Sequence, residues 1–578
     1  MNSNTSFDLY FKPSLLGVIF SYFKGNKIYG SAPNLRKLII DQKPIFSGVS
    51  KFKYYEFRNK AIDEWHIYGE KVSINSINNL NINLTEDEFK LFLQRRLVNF
   101  VKTVAIIYLY NYQSSKYNSG KKNIFYYRSN FFFNYEEYKS YMNNLEYITV
   151  KSTFISRFDN YFHELITYIY QNKDFFLKLL KHFFKLRLIQ KKIPKEICFT
   201  LEHDGPAPNE LDFESFWLTT KNKVGLESIV FYYPGSKKLS DTSNIEVLDN
   251  DMFFNSLKNS ELIHLIFNLI RDFIRILFYR NSFFSHFRNK FSKLFVSYLK
   301  DTYDVKKFYT SNSGSFPETF MISVLKKYDI KTFLWMYSAM SDSLNTYRSN
   351  SKNFSDILHA YSLFDNIIVW GLRSKDEFIK RQITFEPFLK TVSKIKNSTP
   401  INTIPLISSR TVEKLFEINE VNTNSLIATI FESPVFTDFF KKYFETEPGG
   451  LTYEYAETFY KDIISVLYGV GFRVIFIKQK KRNSKLYEEI LEDIYVWSSK
   501  KYPELNIVLS EFSIDPFMLS KKSNLVFGPP FSSAAIAADL LKGNAIIYDP
   551  MSFFGKNNDD LLVSGKENLK KFIKIKML

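Results

Sequence analysis

From Ser228 onward the chain alternates short apolar runs with longer amphipathic ones, and that rhythm limits the fold more than any other feature. Ser228 to Tyr233 reads as a strand closed by Pro234-Gly235. A helical region from Asp251 to Lys300 follows, broken near Asn281-Ser282. Lys307 to Thr310, Thr332 to Met336 and Asn366 to Trp370 read as strands. Helices are predicted between and after them, through Lys327, over Ser355 to Phe364 and from Ser374. A second series has strands at Leu426 to Phe431, Arg473 to Ile477, Asn506 to Leu509, Leu525 to Phe527 and Ala545 to Tyr548. Its helices are Tyr453 to Tyr468, Ser484 to Lys500 and Ser533 to Lys542, with a short one near Pro516 to Ser520. Strands that alternate with helices predict parallel sheets covered by helices. The stretch Ile395 to Ser409, with Pro400 and Pro405 among Asn, Ser and Thr, separates the two series as a linker.

The expected fold class is α/β, with two Rossmann-like domains facing a cleft and a mainly helical region before them. The boundaries read as 1–215 for the helical region, 216–400 for the first Rossmann-like domain and 401–578 for the second. Helices are expected at Glu86 to Tyr110 and Phe158 to Leu188, and the turn-rich run His203 to Asn209 closes the first region.

Charge divides the chain in the same way. Ile401 to Leu578 holds 22 basic and 22 acidic residues, so the whole net charge of +18 lies in the first 400 residues. A basic excess of that size points to an anionic partner. Lys258 to Lys300 carries eight basic and two acidic residues with ten Phe or Tyr. Such a segment can lie on an anionic membrane, and it reads equally as a core helix with a basic rim. No segment is expected to span a bilayer. Leu15 to Phe23 falls far short of about 20 residues, and Leu262 to Phe278 contains Arg271, Asp272 and Arg275. The opening residues lack a basic signal-peptide region. The expectation is a cytoplasmic protein, peripheral at the inner face of the membrane. The single Cys198 excludes a disulfide framework, and the seven scattered histidines show no zinc spacing, so no metal is expected. No RNA-recognition, zinc-finger or helix-turn-helix pattern is present, so no nucleic-acid partner is expected.

In an open parallel sheet, ligands bind beyond the carboxyl ends of the strands. The most informative such end is Gly528-Pro529-Pro530-Phe531-Ser532-Ser533, which leads from a strand into the small-residue helix Ala534 to Ala538. Serine is a preferred N-cap, and free N–H groups in a first helical turn attract phosphate. The same residues would also serve as a plain cap on a buried helix. Lys478, Lys480, Lys481 and Arg482 follow another strand, where they could pair with a diphosphate or form a solvated turn. Asp549 ends a further strand. In the first series, Glu318 follows Ser311 to Ser315 and Pro317, and Asp342 follows the polar loop Ser338 to Ser343. Either carboxylate could act as a general base. Glu318 would equally complement its helix dipole.

The run from Asn524 to Pro550, NLVFGPPFSSAAIAADLLKGNAIIYDP, resembles the donor-binding segment of GT-B glycosyltransferases that build bacterial surface polysaccharides. Phe472 to Arg482 is similar to their strand and lysine-rich turn, and Asn366 to Gly371 to the last strand of their first domain. The resemblance covers roughly residues 225 to 555. It implies a nucleotide-sugar donor used as substrate, no cofactor, a metal-independent reaction, and a glycan or lipid-linked acceptor. Lys478, Lys480, Arg482, Gly528, Pro530, Ser532, Ser533 and Asp549 would then be donor-binding, and Glu318 and Asp342 catalytic candidates. Ala538, with Asp539 beside it, stands where many such enzymes carry a ribose-binding Glu. Two other readings stay open: a sugar-nucleotide epimerase or hydrolase on the same scaffold, and a non-enzymatic protein that binds anionic surfaces.

Overall fold

The computed structural model describes residues 7–10, 27–30, 49–79, 86–116, 123–126, 135–142, 145–151, 176–182, 194–200, 229–233, 246–279, 286–310, 316–335, 363–368, 425–432, 446–447, 453–478, 485–510, 516–530, 532–552 and 561–577. Asp342, Lys480, Lys481, Arg482, the linker Ile395 to Ser409 and the helix expected from Ser374 lie outside them.

The N-terminal region is mainly helical, with a sheet that the sequence reading did not expect. Strands β1 (Phe7–Tyr10), β2 (Lys27–Gly30), β4 (Asn123–Tyr126) and β5 (Ile148–Lys151) form a parallel sheet in the order β2-β1-β4-β5. The short β3 (Val49–Ser50) pairs instead with residues 446–447. Helices α1 (Lys51–Glu64), α2 (Glu70–Asn79), α3 (Glu86–Lys116) and α4 (Tyr135–Tyr138) supply most of this region's core, with Trp65, Phe92, Phe100 and Tyr138 fully buried. The π-helical turn Trp65–Gly69 joins α1 to α2. Of the helix expected over Phe158 to Leu188, residues 176–182 are described and are helical.

The middle unit is a six-stranded parallel sheet. Its strands are β6 (Ile197–Thr200), β7 (Ile229–Tyr233), β8 (Glu246–Asp249), β9 (Lys307–Thr310), β10 (Lys331–Trp335) and β11 (Asn366–Ile368), in the order β11-β10-β9-β6-β7-β8. Counted along the chain, this is the doubly wound order 3-2-1-4-5-6. The boundary expected at 215/216 therefore moves upstream, because β6 is the first strand and sits between β7 and β9. The run Ile197 to Thr200 is only one short apolar stretch before a turn-rich loop, and it lacks the alternation by which a strand is recognised. Helices α5 (Asn250–Ser256), α6 (Asn259–Tyr279), α7 (His286–Tyr303) and α8 (Phe316–Lys327) accompany this sheet. The break expected near Asn281 lies outside the described residues, which resume with α7 at His286. Asp272 of α6 is buried and accepts the backbone N–H groups of His286 and Phe287 at 2.8 Å each, so one carboxylate caps α7. The apolar core of the first two regions is continuous, from Ala61 through Phe295 to Phe364.

The C-terminal unit repeats the plan. Strand β12 (Ile427–Phe431) comes first, followed by the short β13 (Thr446–Glu447) that pairs with β3. Then come α9 (Tyr453–Gly469), β14 (Val474–Lys478), α10 (Lys485–Lys501), β15 (Asn506–Ser510), α11 (Pro516–Lys522) and β16 (Leu525–Gly528). The chain continues through α12 (Ser533–Lys542), β17 (Ala545–Asp549), β18 (Leu562–Ser564) and α13 (Lys566–Met577). The sheet order β15-β14-β12-β16-β17-β18 is again 3-2-1-4-5-6 when its six strands are counted along the chain. Every residue of β12, β14, β16 and β17 is buried, as parallel strands covered on both faces require. α9 buries Tyr455, Ala456, Phe459, Tyr460, Ile463, Ile464 and Leu467, one stripe at helical spacing. Each buried Phe, Ile or Leu of the stripe stabilises the unit by about 1.5–3 kcal/mol. This core, from Ala428 to Ile573, is separate from the first. α12 ends at Gly543, whose φ of 66° is left-handed and whose N–H returns to the Asp539 carbonyl at 2.7 Å.

The position of β6 has a chemical consequence. The Cys198 thiol is fully buried in the middle of the sheet, and burial pushes its pKa up. A thiol-specific chromogenic reagent at pH 8 should leave the native chain unmodified and titrate one thiol after unfolding in guanidinium. Rapid native labelling would place β6 outside the sheet. The sign of the pH dependence follows. The folded state keeps the proton and the unfolded state releases it, so this contribution to stability is lost as pH rises through the ordinary thiol range.

Candidate functional site

The strand order sets where a ligand can enter. In a doubly wound sheet the crevice opens where helices on the two sides of strand one diverge, between the carboxyl ends of strands one and four. In the C-terminal unit these are β12 and β16. Their amino ends are clamped by Asn524. Its N–H donates to the Ile427 carbonyl at 2.8 Å, and its Oδ1 accepts the Ile427 N–H at 2.8 Å. Just above, the Thr429 and Ser523 hydroxyls lie 2.7 Å apart. The register Ala428↔Leu525 through Ile430↔Phe527 then brings Gly528 level with the end of β12.

Gly528 is where strand and helix come closest. A Cβ built on it would lie 2.5 Å from the Ala535 Cβ and 2.8 Å from the Ser532 Cβ. Only glycine lets β16 pass this close to the first turn of α12. Pro529 and Pro530 are buried, and the Pro529 carbonyl accepts the Ser532 N–H at 3.1 Å, closing the turn. Ser532 is buried and caps α12, with its Oγ accepting the Ala535 N–H at 3.3 Å. Ser533 is the first helical residue. The sequence-predicted cap therefore stands, and it sets the amino end of a ten-residue helix at the switch point.

Lys478 differs from the exposed turn that its sequence context suggests. It is the last residue of β14, paired with Phe431 on one side and Ser510 on the other, and only 5% of its surface is exposed. It lies level with Gly528 and two strands away, about 10 Å by strand spacing. Phe431 lies between them, and the next residue, Glu432, is also buried and donates its N–H to the Lys478 carbonyl at 3.2 Å. Glu432 directly follows β12 at the switch point, one of the strand ends at which a doubly wound sheet binds its ligands. Asp549 is fully buried at the end of β17. Its Oδ1 accepts the Tyr455 hydroxyl at 3.2 Å, and its carbonyl accepts the Gly565 N–H at 3.0 Å. It thus ties α9 and the start of α13 to the sheet.

In the middle unit, strands one and four are β6 and β9, which end together at Thr200↔Thr310. α8 follows β9 as α12 follows β16, and Glu318 stands in its first turn. The structure thus places Glu318 and Ser533 each in the first turn of the helix that follows strand four of its unit. Among the described residues no group of three or more His, Cys, Asp or Glu side chains gathers to hold a metal. Among the same residues no helix is long and apolar enough to cross a membrane.

Comparison with solved structures finds loose likenesses. A sucrose-phosphate synthase from Thermosynechococcus elongatus is 9% identical, covering 66% of this chain and 90% of its own, with a TM-score of 0.36. The wall teichoic acid polymerase TagF is 10% identical, covering 72% and 90%, with a TM-score of 0.36. MurG from Acinetobacter baumannii is 9% identical, covering 67% and 91%, with a TM-score of 0.30. Likenesses this loose bear on neither fold nor activity. No curated protein matches the chain. Residues 276–572, more than half of the chain, match the family described as polysaccharide biosynthesis PFTS motif protein. That span contains α8, the whole C-terminal sheet and the Gly528 to Pro550 segment on which the resemblance rested, so the chain belongs to the polysaccharide biosynthesis PFTS motif family.

Proposed function

We propose that the protein is a glycosyltransferase, moving a sugar from a nucleotide-sugar donor to a growing surface polysaccharide or a lipid-linked acceptor. The observation that carries this reading is the amino end of α12 at the switch point of a doubly wound sheet, in a chain of a polysaccharide-biosynthesis family. In such a transfer an acceptor hydroxyl attacks the anomeric carbon and a nucleoside diphosphate leaves. The enzyme must offset the charge that grows on the leaving group and take up the hydroxyl proton. The N–H groups of the first turn of α12 supply fixed positive dipoles with no reorganisation, and Gly528 lets that turn pack directly against β16. Lys478 contributes a positive charge at the same level of the sheet, and Lys480 and Arg482 are the further cations proposed for the diphosphate. Glu318, in the first turn of α8 in the middle unit, is the proposed proton acceptor, with Asp342 as the other candidate. No metal is required by this scheme, because helix dipole and cations neutralise the diphosphate.

Ser533→Asp tests the donor pose without disturbing the fold. A carboxylate in a first helical turn favours the helix, so thermal stability should hold or rise slightly. The same charge, added at the amino end of α12, would repel the proposed donor diphosphate, so kcat/KM for transfer from a radiolabelled nucleotide-sugar should fall about tenfold or more. Unchanged donor kinetics in this variant would remove the phosphate from α12. Incubation of the native chain without acceptor supplies a control, since rapid epimerisation or hydrolysis of the donor would make the protein a different enzyme on the same scaffold. Lys478→Ala behaves differently because its stem is buried. It should lower unfolding free energy by about 2–3 kcal/mol in urea titrations, while Lys478→Met recovers most of that loss. Equal stability of all three chains would place Lys478 at the surface.

A further inference from the structure

α6 has two apolar faces. Leu262, Leu265 and Leu269 are buried against the middle unit. On the opposite side Ile263, Phe267, Ile270 and Ile274 are 51%, 63%, 47% and 47% exposed. Their spacing of four, three and four residues keeps them on one stripe of the helix. Large side chains left open in a row mark a contact surface, whereas isolated ones do not.

The charges beside the stripe choose the partner. Arg271 is exposed at its edge, Lys258 is exposed just before α6 begins, and Lys293 is exposed on the neighbouring α7. The two acidic residues between Lys258 and Lys300 are both engaged with backbone. Glu261 accepts the Lys258 N–H at 2.7 Å, and Asp272 holds the start of α7. The eight basic residues of this segment therefore outnumber acids that are already committed to capping. A second copy of the chain would bring the same cations against the same edge. An anionic lipid surface instead offers headgroup phosphates to the arginine and lysines and an acyl boundary to the isoleucines and phenylalanine.

We infer that α6 is an in-plane membrane anchor, seating its Ile263–Phe267–Ile270–Ile274 stripe in an anionic bilayer with Arg271 at the headgroups. α6 is not apolar enough to cross the bilayer, so it lies along the surface. This stands apart from the transferase reading, because lipid binding is measured without any donor. The test is co-sedimentation of the full chain with phosphatidylglycerol–phosphatidylcholine vesicles and with phosphatidylcholine vesicles, at low salt. The native chain should favour the anionic vesicles at least about tenfold. Phe267→Glu with Ile270→Glu should lose about tenfold or more of that partitioning at an unchanged melting temperature, since both side chains are exposed. Phe267→Ser alone should lose part of it and serves if the double variant does not fold. Arg271→Glu should weaken binding to anionic vesicles only. Failure to bind either vesicle overturns the anchor. So does undiminished binding by the double or serine variant, which would make the attachment a charge effect located elsewhere. Dissociation of a native dimer by the same substitutions, with no vesicle binding, would make the stripe a contact between copies.

Discussion

The pairing of β12 with β16 is the constraint on which the C-terminal unit depends. It joins strands whose clamp residues, Ile427 and Asn524, are 97 positions apart in the chain, and it decides where the sheet reverses its winding. One asparagine satisfies both backbone groups of Ile427 at the amino ends, and one glycine admits the close approach of a helix at the carboxyl ends. Sliding this pair by one residue would turn each buried side chain of β16 to the other face of the sheet. It would also carry Gly528, and the amino end of α12 with it, away from the end of β12.

Much of this was legible before any coordinates. The helix at Ser533 to Lys542 carries both of its stop signals in the sequence, a serine before it and a glycine after it, and the structure keeps those bounds. The four fully buried strands of the C-terminal sheet are dominated by Ile, Val, Leu, Ala and Phe, dense enough to stand out from their surroundings. What stayed hidden was short or mixed in character. β18 is three residues long and β6 four, below the length at which period-two alternation can be read. β1, β2, β4 and β5 are interspersed with aromatic helices rich in Tyr and Lys, and nothing local marks their pairing. At the candidate site, sequence position alone could name the ends of strands. It could not show that Lys478 is enclosed, that Asp549 is spent on Tyr455, or that Glu432 is buried beside Lys478, because those are properties of packing between distant segments.

The two doubly wound units share a plan and differ in charge. In each, strand four leads into a helix at the switch point, α8 in one and α12 in the other. The C-terminal unit is neutral overall, whereas the excess of +18 lies upstream of it. A single anionic donor can be held by local dipoles and a few placed cations, without a broad field. A broad field is of use for an extended anionic surface, where many weak contacts add together.

The first strand of the middle sheet, β6, lies between its two halves and is supplied by residues counted at first with the helical region. A chain begun at residue 216 would keep β7 to β11 and lose the strand that joins β7 to β9. The sheet would then open into two pieces of two and three strands, each with a newly bare edge of unpaired N–H and C=O groups, and such edges recruit strands from other molecules. Expression of a trimmed two-domain form would accordingly end in aggregates, and a useful cut must fall upstream of Ile197.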